Sequence, residues 1–435
     1  MGIAEIEDIS ENLRGPCLLT MKHLIFANLV VTFVINRYLE VRQLARFFSF
    51  SPPKDITILY GQDKVTKALS YSRDKLWFTI VYASFSFAVE LIVFQFKWYS
   101  LIWNSSYLSW FSSFGPVYRS IVFTFVVRAF WSLWSLPFNV YSIFCIERKH
   151  GFNNQTISMF VLDCVKISAV SILVGTPILY ILLRLIYFFD RYFVIVAWMF
   201  TLLSQIVMML IVPEYIQPLF NKFTRLPDGE LRDKIELLAK RTSFPLSEIY
   251  VMDGSVRSSH SNAYFTGLFK YKRIVLYDTL AKQVSADEVV AILGHEIGHW
   301  KEGHVFRVMV FAQLNILILF LMLWWSLKNE EVFTTFGFLD EKPVIVGLLT
   351  VQYLLSPILF ALNVCGNHLS RSHEYEADKY AVKLGLGQTL KSALVSIHRE
   401  NLSNPDPDIL YSLVHYSHPT LMQRLAAIDS MTKIQ

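Results

Sequence analysis

The sequence is poor in charged residues, and this scarcity excludes most classes of soluble protein. Charged side chains make up 17% of its 435 residues, whereas a soluble globular domain usually carries about 25%. Hydrophobic residues make up 54% of the chain and aromatic residues 15%. The net charge, 40 − 35 = +5, is too small to indicate a nucleic-acid-binding surface. The composition therefore excludes disordered, soluble multidomain and nucleic-acid-binding proteins, and it predicts an integral membrane protein.

Cysteine is also scarce, and its distribution excludes a disulfide framework. The four cysteines are far apart in the sequence and form no CxxC pair. They lie in or beside apolar stretches, so we expect small, buried hydrophobic residues at these positions. The cysteines are Cys17, Cys145, Cys164 and Cys365.

Long apolar runs dominate the chain instead. A helix needs roughly 20 apolar residues to cross a bilayer. Seven segments meet this condition, near 21–36, 76–96, 120–143, 160–183, 193–213, 305–327 and 343–366. The loop after the first span holds eight Lys or Arg residues and the next loop only two. The positive-inside rule then places the first loop in the cytosol, together with segment 214–304 and the tail after residue 366.

Segment 214–304 differs in character from the spans and has the pattern of a small α+β domain. Its Ser285 and Glu288 have the spacing of a capping box, which starts a helix from Ala286 to about Gly303. We predict further helices over 230–241 and 367–386, and β-strands at Ile249–Met252, Ala263–Phe269 and Arg273–Tyr277. The expected organisation is 1–213 with five spans, 214–304, 305–366 with two spans, and 367–435 as the second part of the polar domain.

The capped helix contains the sequence His295-Glu-Ile-Gly-His299, which is an HExxH motif. Two histidines four residues apart lie on one helical face and can bind the same zinc ion. The intervening Glu296 can act as a general base on metal-bound water. A catalytic zinc site has a third protein ligand and leaves one position open. The nearest candidate, His304, would lie on the opposite side of a continuing helix, so we expect the ligand elsewhere.

The segment after the last predicted span offers that ligand. Glu374 and Asp378 are four residues apart and share a helical face. We assign Glu374 as the third zinc ligand and Asp378 as an acceptor that orients a ligand histidine. His373 and Glu376 should point away into solvent. Two spans separate His299 from Glu374, and an even number returns the chain to the same side of the membrane.

With these motifs in place, the sequence resembles the type I CaaX prenyl proteases, which are integral-membrane zinc metalloproteases of eukaryotes. The resemblance covers essentially the whole chain, including the spans and the positions of the motifs between them. Four blocks carry it: Arg257–Tyr264, Leu293–Trp300, Ser370–Asp378 and His415–Pro419.

The resemblance implies a fold, a site and a reaction. Seven tilted helices would form an α-barrel around a large water-filled chamber, with a small zinc metalloprotease domain on the cytosolic side. One zinc ion would be held by His295, His299 and Glu374, with Glu296 as base and His418 stabilising the oxyanion. Three further residues, Asn262, Ala263 and Tyr264, would form an edge strand that pairs with the substrate backbone.

The family removes the last three residues of prenylated CaaX proteins, and some members also make a second, upstream cut. We therefore expect prenylated protein or peptide substrates, a monomer in the bilayer and no nucleic-acid partner. The family implies a multi-pass protein of the endoplasmic reticulum and inner nuclear membrane. One alternative is a protease for membrane-protein quality control, although bacterial proteases of that kind have fewer spans. A seven-span receptor or transporter is a second alternative, and the polar insert with HExxH argues against it.

Overall fold

The protein is mainly helical, and a small β-sheet lies between its fifth and sixth predicted spans. The computed structural model describes residues 20–49, 54–267 and 271–434. Its N-terminal half contains the helices α1 (Met21–Ser49), α2 (Lys54–Tyr60), α3 (Gln62–Gln95), α4 (Trp98–Trp103), α5 (Ser106–Trp110), α6 (Pro116–Tyr141), α7 (Ile157–Val170), α8 (Thr176–Phe189), α9 (Phe193–Ile211) and α10 (Gln217–Phe220). Its C-terminal half contains α11 (Glu230–Thr242), α12 (Leu280–Gln283), α13 (Ala286–Lys301), α14 (His304–Lys328), α15 (Glu330–Thr335), α16 (Val344–Lys383), α17 (Gly387–Glu400), α18 (Ile409–His415) and α19 (Leu421–Ile434).

Within the described residues, six continuous helical runs are long and apolar enough to cross a membrane. They are Met21–Ser49, Gln62–Gln95, Pro116–Glu147, Ile157–Phe220, His304–Lys328 and Val344–Lys383. The fourth run combines the predicted fourth and fifth spans, and a 3-10 turn at Asp190–Tyr192 interrupts it. The helices before and after this turn, α8 and α9, pack against each other, so the chain folds back there. The count of seven spans and their orientation stay predictions.

Most of the apolar surface of these helices is not covered by other parts of the protein. In the most apolar window of the run Ile157–Phe220, only 6% of the residues are buried inside the protein. Large exposed apolar patches mark surfaces that contact a partner or a membrane. The expectation that the cysteines are buried is wrong for Cys145 and Cys365, which are exposed, because both lie on helix surfaces that other parts of the protein do not cover. Cys164 is half-buried, and Cys17 lies outside the described residues.

A cavity of about 820 Å³ lies between α1, α3, α6 and α16. Its wall includes the ionisable side chains of Arg37, Glu40 and Glu90 among apolar and aromatic residues. Polar groups at membrane depth face a bundle interior or water rather than lipid. The cavity is thus a mainly apolar space that holds a few ionisable groups, and the large chamber that the family implies stays a prediction.

The sheet contains four strands, β1 (Phe223–Arg225), β2 (Leu246–Met252), β3 (Ala263–Thr266) and β4 (Lys272–Tyr277), in the order β1-β2-β4-β3. Strand β3 pairs with β4 in antiparallel fashion and forms one edge of the sheet. The three predicted strands exist, although β3 ends at Thr266, and residues 268–270 lie outside the described part. The sheet packs on α13, and Ala393 of α17 joins the same core. The two predicted halves of the polar domain therefore share one hydrophobic core.

The capping box that starts the motif helix is confirmed. The Ser285 hydroxyl accepts a hydrogen bond from the backbone N–H of Glu288, whose carboxylate accepts one from the Ser285 N–H. The helix α13 ends at Lys301, two residues earlier than predicted. The predicted helix 367–386 is not a separate element, because it continues the last span in the 40-residue helix α16.

Candidate metal centre

The two histidines of the HExxH motif meet on one face of α13. The ring atoms His295 Nε2 and His299 Nε2 are 3.1 Å apart. His295 is buried and His299 is half-buried, so both rings are largely shielded from solvent. The helical repeat of 3.6 residues accounts for this convergence, since residues four apart are neighbours on the surface.

Helix α16 brings Glu374 to the same point. Glu374 Oε1 lies 3.2 Å from His299 Nε2, and Glu374 Oε2 lies 3.4 Å from His295 Nε2. The close approach of the two helices depends on Gly298, where a Cβ atom would lie 3.0 Å from the Cα of Ala377. Glycine inside the motif therefore has a packing role, in addition to the roles of the histidines.

The three side chains fit a metal ion. Their ligand atoms all lie within 4.8 Å of one another. Zinc binds nitrogen and oxygen at about 2.0–2.2 Å in a tetrahedron, which separates two ligand atoms by roughly 3.4 Å. The observed separations of 3.1, 3.2 and 3.4 Å agree with that value. In addition, Glu374 Oε2 is buried and accepts no well-oriented hydrogen bond from the described residues. The donor set and its spacing are what a bound cation would complete.

A buried network holds His295 in orientation from its other ring nitrogen. Asp378 Oδ1 lies 2.8 Å from His295 Nδ1. Arg424 of α19 donates from Nε to Asp378 Oδ2 at 2.9 Å and from Nη2 to Asp378 Oδ1 at 2.6 Å. Its Nη1 lies 3.1 Å from Glu374 Oε2. Arg424 thus contacts both carboxylates, and no motif in the sequence predicts this role.

His304 supports His299 in a similar way, which corrects its predicted position. Helix α13 ends at Lys301, and Gly303 has φ of 71°, a left-handed conformation that favours glycine. The chain changes direction there, and His304 Nδ1 lies 2.8 Å from His299 Nδ1. The expectation of opposite faces is wrong because it assumed that one helix continued.

The expectation that His373 is solvated is also wrong. Its side chain is buried, and its ring stacks on that of His304 with the centroids 4.1 Å apart. Glu376 does not point freely into solvent either, since it pairs with His304 Nε2 at 2.9 Å and with Arg307 Nη1 at 2.8 Å. His304, His373 and Glu376 thus form a connected group behind His299.

Glu296 lies between the two histidines in sequence and is half-buried. Burial raises the pKa of its carboxyl, and the neighbouring His295 and His299 oppose that shift. Among the described residues, no group forms a hydrogen bond with this carboxylate. An unengaged carboxylate with a raised pKa beside a metal-binding group has the properties of a general base.

The remaining predicted site residues lie around this group. His418 is exposed, and its Nε2 is 3.4 Å from Glu374 Oε1. Asn262 directly precedes β3, and its side-chain Oδ1 accepts a hydrogen bond from the Ala263 N–H at 2.9 Å. The Tyr264 hydroxyl donates to Gln217 Oε1 at 3.3 Å. Since β3 is an edge strand and packs against α13, it lies beside the metal-binding helix.

Residues 257–260, which precede β3, form ion pairs and hydrogen bonds with the membrane helices. Arg257 donates from Nε and Nη2 to the two oxygens of Asp163 on α7, both at 2.9 Å. His260 lies 3.5 Å from Glu147, and Tyr71 of α3 donates to the same carboxylate at 2.7 Å. These contacts position the edge strand relative to the membrane helices.

The comparison with protein families divides the chain into two matched regions. Residues 41–222 match the family described as CAAX prenyl protease N-terminal, five membrane helices. Residues 225–432 match peptidase family M48. Together these regions cover most of the chain and include all of the residues at the candidate centre.

Individual relatives and one solved structure agree with this assignment. The CAAX prenyl protease 1 homolog of Arabidopsis thaliana is 39% identical over 410 residues, which cover 93% of this chain and 96% of that relative. CAAX prenyl protease 1 of Saccharomyces cerevisiae is 38% identical, with 93% and 94% covered. The Homo sapiens homolog is 37% identical, with 87% and 89% covered. The crystal structure of S. mikatae Ste24p superposes with a TM-score of 0.89 at 38% identity, covering 94% of this chain and 98% of that chain.

Proposed function

Because the chain belongs to the CAAX prenyl protease 1 family of M48 metalloproteases, we propose that it cleaves prenylated CaaX proteins after the prenylated cysteine. The reaction hydrolyses one peptide bond and releases the last three residues. A second, upstream cleavage of the same substrate is part of the proposal. The observation that carries it is the convergence of His295, His299 and Glu374 in a polytopic membrane protein of this family.

One zinc ion per chain is the proposed cofactor, with His295, His299 and Glu374 as its ligands. Zinc acts as a Lewis acid and lowers the pKa of bound water to about 7. Asp378 keeps the proton on His295 Nδ1, so that the Nε2 atom is free to bind the metal. His304 fixes the ring of His299 from the opposite side.

The proposed proton carrier is Glu296. Its carboxylate accepts a proton from the attacking water and later donates it to the leaving amine. The raised pKa suits this role, because it makes the carboxylate a better proton acceptor than an ordinary exposed glutamate. The absence of hydrogen bonds from described residues to this carboxylate leaves it available to the water.

Two further elements act on the substrate. His418 is exposed beside Glu374 and donates a hydrogen bond to the oxyanion that forms at the scissile carbonyl. Asn262, Ala263 and Tyr264 offer the free edge of the sheet, where an extended substrate backbone adds as another strand. For this to happen, the N–H of Ala263 exchanges its bond to the Asn262 side chain for one to the substrate.

The membrane location suits a lipidated substrate, because a prenyl chain partitions into the bilayer. We place the protein in the endoplasmic reticulum membrane and the inner nuclear membrane, as a monomer whose centre faces the cytosol. The spans enclose a chamber through which the prenylated end reaches the centre, and the cavity beside α1 and α16 supports this arrangement. The proposed division of the chain places 214–304 and 367–435 in one protease domain.

A panel of peptides tests this function. The purified protein is supplied with farnesylated CaaX peptides and with the same peptides bearing a free cysteine. We expect cleavage of the farnesylated set and much slower cleavage of the others. Equal rates for both sets would contradict the proposal and indicate a quality-control protease that does not recognise the lipid.

A further inference from the structure

A small cavity opens beside the candidate metal centre, on the side of His418. Its volume is about 280 Å³. His418 contributes to its wall and also lies 3.4 Å from Glu374, so the cavity adjoins the metal-binding group. The other polar residues of its wall are His368, Arg371, Ser372, Tyr375, Ser412, Thr420 and Gln423. No acidic residue is among the described residues that line it.

Arg371 is a half-buried cation in this wall without a carboxylate partner among the described residues. It donates one hydrogen bond, from Nη1 to the backbone carbonyl of Tyr416 at 2.5 Å. An arginine carries five N–H donors, so most of its donors are left without a described acceptor. Partly buried charges are normally paired, because their desolvation is costly. The cavity therefore presents an unneutralised guanidinium next to the site of cleavage.

The proposed reaction brings a matching group to this place. The residues released from a CaaX end form a short peptide whose last atom group is a free carboxylate. Three extended residues span at most about 10 Å. Arg371 lies three residues before Glu374 on α16, a rise of about 4.5 Å along the helix, and on the same face. The terminal carboxylate of a bound substrate is thus within reach of this guanidinium.

We infer that Arg371 binds the C-terminal carboxylate of the substrate and so sets the distance from the chain end to the first cleaved bond. This inference rests on the proposed function. A guanidinium and a carboxylate form a planar, charge-assisted pair, which explains why an arginine without an internal acid stands here. Because this subsite holds the free carboxylate at a fixed distance from the centre, it selects the peptide bond three residues before the chain end. The edge strand, in contrast, accepts any extended backbone.

The test compares two farnesylated peptides that differ only at the end, one with a free carboxylate and one with a carboxamide. For the wild-type protein we expect kcat/KM to be about tenfold or more higher for the acid, in line with the strength of a charge-assisted hydrogen bond. Arg371→Gln should bring the acid-to-amide ratio close to one, and Arg371→Lys should retain part of it. Zinc content and the melting temperature report whether each variant is folded.

A different explanation is that Arg371 only holds the loop that bears His418 and does not bind the substrate. Asn367→Ala is the matched control for that explanation. Asn367 Nδ2 donates to the carbonyl of Val414 at 2.7 Å and, without any charge, anchors the end of helix α18, which leads into this loop. This variant should keep the wild-type ratio.

Two results would overturn the inference alone: equal cleavage of acid and amide by the wild type, or an Arg371→Gln variant that slows both peptides by the same factor. If the wild type cleaves neither farnesylated peptide, the proposed function fails and the carboxylate subsite fails with it.

Discussion

Arg424 and Asp378 form a buried bidentate ion pair, with donor–acceptor distances of 2.9 and 2.6 Å. The pair joins the C-terminal helix α19 to α16, and α16 also carries Glu374. Asp378 in turn contacts His295 Nδ1. One side of the candidate centre therefore depends on Arg424, which lies 129 positions after His295 in the chain. The last helix is therefore part of the support of the metal-binding group.

Asp378→Asn should weaken zinc binding about 10- to 100-fold, as changes to the partners of ligand histidines usually do. The asparagine amide is neutral, so it attracts the proton on His295 Nδ1 less strongly than the carboxylate does. The form of His295 whose Nε2 atom is free to bind zinc is then less favoured. Titration with a competing chelator measures the change. Asp429→Asn on α19 is the control, since Asp429 pairs with Lys391 away from the centre. An unchanged zinc affinity in Asp378→Asn would contradict the role of this pair.

Arg424→Met should destabilise the protein by about 3–5 kcal/mol, because it leaves two carboxylates in a buried place without their common cation. Thermal unfolding of the zinc-free protein in detergent measures this effect. Excess zinc should restore part of the stability, since the cation compensates one of the carboxylates. Equal stability of variant and wild type without zinc would mean that the ion pair has no net effect.

The sequence predicts those residues of this centre that lie at helical intervals within one segment of the chain. His295 and His299 share one face of α13 because they are four residues apart, and the capping box correctly starts that helix. Glu374 shares a face with Asp378 by the same spacing, but it reaches the two histidines only through the packing of α16 on α13. Arg424 has no such signal, because it contacts Asp378 only through the packing of α19 on α16. In the sequence alone, a single arginine in a helix cannot be told from a surface cation until the position of the helix is known.

His304 shows a different kind of error, for which the sequence held the necessary signal. Glycine just after a helix commonly ends it in a left-handed conformation. Gly303 does so here, and the chain then turns His304 towards His299. The presence of the membrane helices was predictable from apolar length, but their full extent was not, because polar residues continue several of them. Their packing was not predictable either, since lipid-facing and protein-facing surfaces are equally apolar. The exposed Cys145 and Cys365 follow from the same limitation.

His304→Ala should reduce zinc affinity by roughly tenfold, because His299 loses the partner of its Nδ1 atom. His304→Gln keeps a polar group at the same place, and we expect a smaller loss. Zinc content after dialysis against a weak chelator compares the two variants. If both variants lose the same amount of zinc as the wild type, the contact between residue 304 and His299 does not contribute to zinc binding.

Glu296→Gln should lower the cleavage rate by about 10²- to 10⁴-fold, the usual contribution of a general base. Zinc should remain bound, because His295, His299 and Glu374 are unchanged. Glu302→Gln is the matched control, since it caps the end of the same helix outside the metal-binding group. Retained cleavage in Glu296→Gln would remove this residue from the mechanism.

Arg257→Ala should raise KM more than it lowers kcat, because Arg257 positions the edge strand and does not touch the metal-binding group. Its partner variant Asp163→Asn should have the same effect, and the double variant should add little to either. Such a cycle measures the coupling, for which we expect about 0.5–3 kcal/mol. Lys166→Ala on the same helix is the control, since Lys166 donates to the carbonyl of Leu219 instead. Additive effects of Arg257→Ala and Asp163→Asn would contradict a joint role.

The central claim is that this membrane protein is a zinc-dependent CaaX protease. Mass spectrometry of the products from one farnesylated CaaX peptide, with and without a zinc chelator, tests it most directly. We expect a tripeptide and a peptide that ends at the farnesylated cysteine, both absent with the chelator and restored by added zinc. Cleavage at another bond as the first product, or cleavage that persists without zinc, would contradict the claim.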